Sequence, residues 1–598
     1  MKELEYPFDS SYIMKKSKSL KKALIADGTD RIHKKIAVLG GSTTHDIIRI
    51  MELFLLNYGI EPEFYESEYG QYWQDAMFPG ELSEFNPDII YIHTSNRNIN
   101  DFPTMDDSTE MVDEKLQKTY QHFETMWKKL SDTYHCPIIQ NNFEAPFYRL
   151  LGNRDFFDIH GRLSFINRLN EKFAEYARKA SDSAESFFIN DINYISSCYG
   201  LDQWSDPLAW HMYKYALCIQ AIPTLSFNVA NIIKSIYGKN KKGLVLDLDN
   251  TLWGGVVGDD GVDGIEIGQE TNLGQVYSEF QGYVKMQKDI GVLLTVDSKN
   301  DEENAIAGLN HPDGKLKPDD FVAIKANWDP KSENMKAIAK ELNILPESLV
   351  FVDDNPAERA IVEGQIKGAA VPEIDSPEHY IRIIDHAGFF EATSVSDDDR
   401  KRNEMYMANK KRNELEESFA DYGEYLKSLE MEAEIAPFEK MYMPRIAQLT
   451  NKSNQFNLTT KRYTQDDIEK TAADDSNITL YGRLKDKFGD NGIVSLVIGN
   501  IRSGAELHID LWLMSCRVLK RDMEFAMMDA LVKKALERGV KTIYGYYYPT
   551  AKNKMVKEFF DGQGFDLVSE DEDGNRTYKL DLNQEYTNKN NFIDVHLK

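Results

Sequence analysis

The run KKGLVLDLDNTLWGG, residues 241–255, closes an apolar stretch on two aspartates, Asp247 and Asp249. The residues ahead of them, Gly243-Leu244-Val245-Leu246, have the apolar, partly β-branched makeup of a central strand in a parallel sheet. A carboxylate buried there is costly unless it is paired or metal-bound. One reading is a surface strand end with two solvated acids. The other is a cation site with a nucleophile, because open α/β sheets take their ligands at the carboxyl ends of strands. Three further segments bear on the choice. GVLLTVDSKN is a second strand pattern, ending in Ser298, Lys299 and Asn300. Lys331 begins the helical pattern of PKSENMKAIAKEL, and SLVFVDDNPAER is a third strand pattern, ending in the pair Asp353-Asp354.

A strand ending in D-x-D-x-T, another ending in Ser, a Lys at a helix start and a strand ending in paired acids, in that order, resemble the haloacid dehalogenase (HAD) superfamily. The chemistry explains the residue types. A carboxylate can attack a phosphoryl group and form an aspartyl-phosphate. The charge that develops is neutralised by Mg²⁺, a lysine and a hydroxyl. The resemblance implies Asp247 as nucleophile and Asp249 as general acid/base, protonating the leaving oxygen and then activating water. It implies Ser298 and Lys331 as holders of the phosphoryl oxygens, with Lys336 on the same helix as a competing lysine. It implies Mg²⁺ on Asp247, the backbone carbonyl of Asp249, and Asp353, with Asp354 as a ligand or just behind one. Oxygen-rich coordination of this kind suits Mg²⁺. Thr251, Lys299 and Asn300 flank these positions as substrate-binding candidates. A relic of the fold with a dead site is the alternative. Between Asp247 and Ser298 there is room only for a short flap, WGGVVGDDGVDGIEIG, and one helix, so the site is expected to be open, with a minimal cap.

A closer resemblance runs through LVLDLDNTLWGGVVGDDGVDGI, SKNDEENA, NWDPKSEN, FVDDNPAER, NKSNQFNLTTKRY and LWLMSCRVLKRDME. These are similar to the FkbH-like proteins over residues 241–565, and more weakly before. In members associated with polyketide synthases, the resemblance implies that 1,3-bisphosphoglycerate loses phosphate and a glyceryl unit is loaded onto an acyl carrier protein by way of an enzyme cysteine. A plain phosphatase of a sugar or lipid-linked phosphate, with idle flanking domains, is a second reading. A scaffold that binds without turnover is a third.

The elements around these motifs alternate strand and helix, the rhythm of a parallel sheet with crossovers. Strands are expected at 35–40, 88–94, 136–142 and 187–191, with helices at 45–59, 165–180 and 213–236. The second set has strands at 243–247, 291–297, 320–324 and 348–353, and helices at 301–309, 331–342 and 356–364. The expected fold class is α/β in three domains: an SGNH/flavodoxin-like three-layer domain (31–238) after an N-terminal arm (1–30), a HAD Rossmann-like domain (239–390), and a GNAT-like α+β domain (433–582). A charged helical connector (391–432) joins the last two, and a polar tail (583–598) ends the chain.

KIAVLGGSTTHD places Ser42 after a strand and a glycine turn, which resembles the first block of SGNH hydrolases. Asn96 or Asn98 would supply that family's asparagine, and His211 its histidine, with Asp206 nearby. Gly41 in place of the usual acid, and the spacing from Asp206 to His211, depart from the pattern. In the last domain, Arg517-Val518-Leu519-Lys520-Arg521-Asp522 stands where a GNAT acyltransferase carries its glycine-rich pyrophosphate loop. Both small positions are lost, and Asp522 brings a negative charge. Arg517 is the substrate-binding candidate there. Cys516 ends a strand before a helix, where the helix and Arg517 would lower a thiol's pKa. It is the candidate acyl carrier, against the reading of a small core residue. His508 reads as core. Glu524 and Asn553 are further polar candidates.

With 598 residues the chain is too long for one core. The net charge of -28 argues against a nucleic-acid partner, which needs a basic footprint, and a docking carrier protein would need a local basic patch. The four cysteines include no C-x-x-C pair, so zinc and a disulfide framework are not expected, and a reducing compartment is. No apolar run is long enough to span a bilayer, and MKELEYPFDSSYIMKK lacks a leader's apolar core; the expectation is a cytoplasmic enzyme with Mg²⁺ as cofactor.

Overall fold

The computed structural model describes residues 1–598 except 79, 184, 454, 504, 551 and 584–585. The chain divides into two compact units, residues 1–239 with 391–394, and residues 240–390 with 395–598.

The first unit is built on five parallel strands, β1 (Ile32–Gly40), β2 (Ile60–Glu66), β3 (Ile89–His93), β4 (Ile138–Asn141) and β5 (Phe187–Asn190), in the order β2-β1-β3-β4-β5. That is the doubly wound flavodoxin-type order, in which chain direction reverses between β1 and β3. Alternate residues of β1 face opposite layers. Ile36 and Val38 pack with helices α1 (Ser10–Ala26) and α2 (His45–Asn57). Ala37 and Leu39 pack in the core that contains Phe123 and Trp127 of α3 (Thr109–Tyr134) and Phe173 of α4 (Arg162–Asp182). β2 was not legible as a strand. IEPEFYE mixes charge and proline because it is an edge, buried on one side at most. The helix expected at 213–236 begins only at residue 222, as α6 (Ile222–Ile236); a separate short helix, α5 (Pro207–Tyr213), ends where it was expected to start.

The second unit holds two sheets. The first has parallel strands β6 (Gly243–Leu246), β7 (Leu293–Ser298), β8 (Ala323–Ala326) and β9 (Leu349–Val352), in the order β8-β7-β6-β9. Leu244 is level with Leu294 on one side and Val350 on the other. The topological switch therefore falls between β6 and β9, which brings Asp247 beside Asp353. Helices α7 (Asn272–Asp289) and α8 (Lys331–Glu341) cover opposite faces, through Phe280 and through Met335 with Ile338. The other sheet has eight strands, β10 (Met431–Ala436), β11 (Asn477–Asp486), β12 (Gly489–Arg502), β13 (Glu506–Met514), β14 (Thr542–Tyr547), β15 (Asp566–Glu570), β16 (Arg576–Asp581) and β17 (Ile593–Leu597). Their order is β15-β16-β14-β13-β12-β11-β10-β17.

Two sequence expectations need correction. The 583–598 segment is not simply a polar tail. Ile593, Val595 and Leu597 alternate at period two, and β17 pairs in parallel with β10. The 391–432 segment is helical in α9 (Arg402–Glu417) but not merely solvated. Arg412 is buried and grips both carboxylate oxygens of Asp486, at 2.8 and 2.6 Å. Met405 and Tyr406 are buried too, so this helix is part of the unit's core. Among the described residues, no helix is long and apolar enough to cross a membrane.

Candidate active site

Asp247 directly follows β6, and its amide donates to the carbonyl of Val352 at 3.0 Å, the residue before Asp353. Lys331, the first residue of α8, is 2 % exposed. Its Nζ lies 2.9 Å from Asp247 Oδ2 and 2.5 Å from Asp353 Oδ2. Burial opposes the lysine's charge, yet Asp247 and Asp353 outweigh it and hold its pKa above the ordinary value. Burial raises the carboxyl of Asp353, Asp247 adds to the rise, and Lys331 offsets part. Asp354 is raised for the same two reasons, burial first. Asp247, Asp353 and Asp354 each offer an oxygen within 4.8 Å of the others. One lysine among three crowded carboxylates leaves negative charge uncompensated. The donor set is all oxygen, so it fits a hard divalent cation.

Asp249 is fixed on three sides. Its Oδ1 accepts from Trp253 Nε1 at 2.9 Å and from the Val257 amide at 3.0 Å. Its Oδ2 accepts from Asn300 Nδ2 at 2.9 Å. Burial pushes its carboxyl above the ordinary range; the Val257 and Trp253 N–H groups offset part, and Asp247 adds to the rise. A carboxyl so held keeps its proton longer, as a general acid must. The loop behind it turns at Asn250, in the left-handed region at φ 55°. The Asn250 carbonyl accepts from Tyr277 and Tyr380 hydroxyls, each at 3.2 Å.

Ser298, buried, ends β7, and its carbonyl accepts from the amides of Asn300 and Asn327, each at 3.1 Å. Thr251 is buried, and its hydroxyl accepts the Asp354 amide at 3.2 Å, tying the two acidic loops together. Two substrate-binding candidates have other partners. Asn300 holds Asp249, because the turn after β7 brings its amide to the neighbouring strand end. Lys299 is paired with Glu358 Oε1 at 2.6 Å. Lys336 is no competitor for Lys331; one and a half turns along, it is exposed and pairs with Glu333 at 2.6 Å. One group escaped sequence reasoning. Asp297 is fully buried, with one oxygen taking Asn334 Nδ2 at 3.0 Å and the other without a partner among the described residues. Burial pushes its carboxyl up to about 8, so near neutrality most of it carries a proton. Its signal was a lone acid inside an apolar strand.

Asn300→Leu is expected to lower kcat for phosphate-ester cleavage by about 10- to 100-fold, since it releases the acid's second oxygen. KM should change little. Steady-state kinetics decide, and an unchanged kcat would show that Asp249 does not depend on this bond.

The mouth is open. The flap between Asp249 and α7 has only the short helix Val257–Asp260 and a single 3-10 turn. Trp328 stands 70 % exposed on the loop ahead of Lys331, with its indole N–H on Asp301 Oδ1 at 3.0 Å.

The other candidate sites are arranged differently from expectation. Ser42 is buried after β1. His211 is exposed on α5, while Asp206 caps that helix by accepting the Ala209 amide at 2.9 Å. No hydrogen bond joins Ser42 to His211 among the described residues, so a Ser-His-Asp unit is not assembled. Asp206 acts instead as the N-cap of α5. Asn96 Nδ2 is bound to the carbonyls of Glu144 and Ala145, at 3.3 and 3.4 Å.

Arg517 does not face a ligand. It is buried against Met405 Sδ and Ser515 Oγ. Arg521 is likewise turned inward, to Asn409 Oδ1 at 2.6 Å. β13 and β14 pair only from Glu506 to His508 and then part. The chain's own Leu458 enters the gap, with Leu458 N on Trp512 O at 3.0 Å and Tyr548 N on Leu458 O at 2.9 Å. Asn553 is buried and fastens this insertion through Asn457 O at 2.9 Å. His508 stacks on Tyr544, centroids 4.8 Å apart, as a strand residue. Glu524 is largely buried, and burial raises its carboxyl. Cys516 is half-buried, its Sγ 3.9 Å from the Tyr406 hydroxyl. Its carbonyl accepts from Asn343 Nδ2 at 2.9 Å. Asn343 lies just past the end of α8, whose start is Lys331. Eleven residues of helix span about 16 Å, so Cys516 and the phosphoryl site lie at opposite ends of it.

A parallel sheet with paired strand-end acids, a helix-start lysine and an acid in D-x-D spacing defines a HAD-type phosphatase domain. A structure of the N-terminal part of protein BF1531 from Bacteroides fragilis, described as containing a phosphatase domain complexed with Mg, is 30% identical at TM-score 0.57. The match covers 63% of this chain and 99% of that one. Residues 35–234 match the family model described as FkbH, N-terminal domain. The chain belongs to the FkbH-like proteins of the HAD superfamily. No curated protein matches. Smaller likenesses are to the ribosomal-protein-S18-alanine N-acetyltransferase of Escherichia coli, at 12% identity and TM-score 0.21, covering 26% of this chain and 99% of that one. The GNAT domain of S. lividans PAT follows at 18% and 0.20, covering 25% and 89%.

Proposed function

We propose that this chain is a Mg²⁺-dependent phosphatase that removes phosphate from a phosphorylated small molecule through an aspartyl-phosphate on Asp247. The observation that carries the reading is Lys331 bound to both Asp247 and Asp353, with a third carboxylate beside them. Asp247, Asp353 and Asp354 would hold the cation, which would offset phosphoryl charge. A carboxylate oxygen of Asp247 attacks phosphorus, and the bond from phosphorus to the ester oxygen breaks. Asp249 gives its proton to the departing oxygen. Lys331 neutralises charge on the transferred group, and Ser298 is placed to hold one of its oxygens. Asp249, now a carboxylate, takes a proton from water as the water attacks phosphorus. Inorganic phosphate leaves, and Asp247 is restored.

The finer reading is acyl transfer from 1,3-bisphosphoglycerate: the thiol of an acyl carrier protein attacks the acyl carbon, the bond from that carbon to the 1-phosphate oxygen breaks and the phosphate leaves with that oxygen, while the chemistry at Asp247 removes the 3-phosphate as an ester. The short flap between Asp249 and α7 favours it, since no cap domain is inserted there. Direct relay through Cys516 of the same chain is disfavoured by the length of α8. Incubating the enzyme with Mg²⁺, carrier protein and 1,3-bisphosphoglycerate tests both levels. Phosphate release with a glyceryl mass on the carrier, undiminished in Cys516→Ala, is the expected result. Release without carrier loading leaves the plain phosphatase of a sugar or lipid-linked phosphate ahead. No release from any phosphate ester would leave a binding scaffold.

A further inference from the structure

The carboxyl edge of the N-terminal sheet carries a dense layer of buried polar side chains. Trp127 Nε1 donates to Gln140 Oε1 at 2.9 Å, and Gln140 Nε2 to Thr94 Oγ1 at 2.8 Å. Asn190 Nδ2 donates to Asn141 Oδ1 at 2.7 Å. Asn141 Nδ2 donates to the Thr94 carbonyl at 3.1 Å, which fixes the direction of its amide. The same nitrogen and the Tyr91 hydroxyl each lie 3.0 Å from His93 Nδ1; the amide nitrogen can only donate, so that ring nitrogen accepts and the proton sits on Nε2. Burial pushes His93 down to about 4, so the ring is neutral near pH 7. Within this satisfied layer, His93 Nε2 and Ser42 Oγ have no partner among the described residues, though each residue is only 2 % exposed. A buried polar group is costly to leave unmet.

A second observation stands beside them. Asn98 Nδ2 donates to the Gly41 carbonyl at 2.9 Å, tying the turn after β3 to the Ser42 turn. That approach requires a glycine: a Cβ on Gly41 would lie 2.4 Å from the Asn98 amide nitrogen. On the other side, Thr43 Oγ1 donates to the Tyr213 carbonyl at 2.7 Å, at the end of α5. Between these elements the half-buried Arg97 guanidinium lies over Trp210 of α5, at 4.9 Å, and over Phe147, at 5.7 Å. It makes no ion pair among the described residues. Glu144, the acid that feels its charge, is buried on the Asn96 amide at 3.3 Å and pushed up to about 7 by burial. A guanidinium braced by rings and lacking a carboxylate partner is a receptor for carboxylate or phosphate.

We propose that this edge of the N-terminal sheet is a second ligand site, for a small anion with a further oxygen acceptor. The charged end sits on Arg97, and the further oxygen takes hydrogen bonds from the Ser42 hydroxyl and His93 Nε2–H. The site lies at the switch point of β1 and β3, where doubly wound sheets receive ligands. It binds rather than hydrolyses. The His93 lone pair on Nδ1 is taken by Asn141, and Nε2 already carries a proton, so the ring cannot deprotonate Ser42.

Calorimetric titration of the full chain with glycolate, acetate and methyl phosphate tests this. Glycolate is expected to bind about tenfold tighter than acetate, because only glycolate offers the further oxygen. Ser42→Ala should erase that advantage and leave acetate unchanged. Arg97→Gln should weaken every bound anion by about tenfold or more. Methyl phosphate in the same series reads whether the charged end is carboxylate or phosphate, and the same variant pattern with either supports the site. Three results would overturn it: no anion bound, affinity unchanged in Arg97→Gln, or an ordered water between Ser42 and His93 that glycolate does not displace in a crystal. Labelling of Ser42 by a fluorophosphonate would also overturn it, by revealing an activated nucleophile.

Discussion

Asp247→Asn is expected to abolish phosphate release, by at least about a thousandfold, with the fold retained. The amide cannot form the phosphoryl ester, yet it occupies the same volume and its oxygen still accepts from Lys331. Removing one negative charge also relieves the neighbours. Burial and then Asp247 hold the Asp354 carboxyl above its ordinary pKa, and both raise Asp353 as well. Without Mg²⁺ the variant should therefore melt no lower than the native chain. With Mg²⁺ the native chain should gain stability by ligand linkage, and the variant should gain less. Phosphate release and thermal melts, each with and without Mg²⁺, make the comparison. Equal turnover in the two proteins would remove the aspartyl-phosphate.

Lys331→Met should be the most destabilising single change in this site. It leaves the buried Asp247 and Asp353 facing each other with no cation at 2.9 and 2.5 Å. Breaking a buried pair in this way costs about 3–5 kcal/mol. The sign with pH follows from the acids. The folded pKa values of Asp353 and Asp354, already raised, rise further once the lysine is gone. A raised carboxyl binds its proton more tightly in the folded state, so the loss is greatest at neutral and alkaline pH. It shrinks as pH falls through the raised folded values, and Mg²⁺ should restore part of it by replacing the lost charge. Lys336→Met, on the exposed turn of the same helix, is the control and should match the native chain. Denaturant melts across pH decide, and a Lys331→Met protein as stable as the native one at every pH would mean that the three acids are not held close in solution.

Much of the phosphatase site was legible because its parts are local. Asp247, Ser298 and Asp353 each end or directly follow an apolar run, and Lys331 opens a helix. An apolar run reports a buried strand, and its last residue reports the edge where ligands bind. The order of segments was enough to assign a superfamily, and the sheet order β8-β7-β6-β9 then set Asp247 beside Asp353. Fold class was legible for the same reason, since alternating strand and helix patterns leave few topologies open.

What the sequence did not determine is which distant groups meet. Asn300 read as a substrate contact and is a brace for Asp249, because the bend after β7 points it across the sheet edge. Arg517 read as a ligand contact and is buried against Met405, from the segment that read as a charged connector. Arg412 of the same helix is buried on Asp486. Cys516 sits at a strand-to-helix turn as its pattern implied, yet α8 separates it from Lys331, and no local spacing carries that distance. His93 and Arg97 carried no motif at all. Periodicity records which face of an element is buried; side-chain partners across elements follow from strand order and loop paths, and those are fixed only when the whole chain packs.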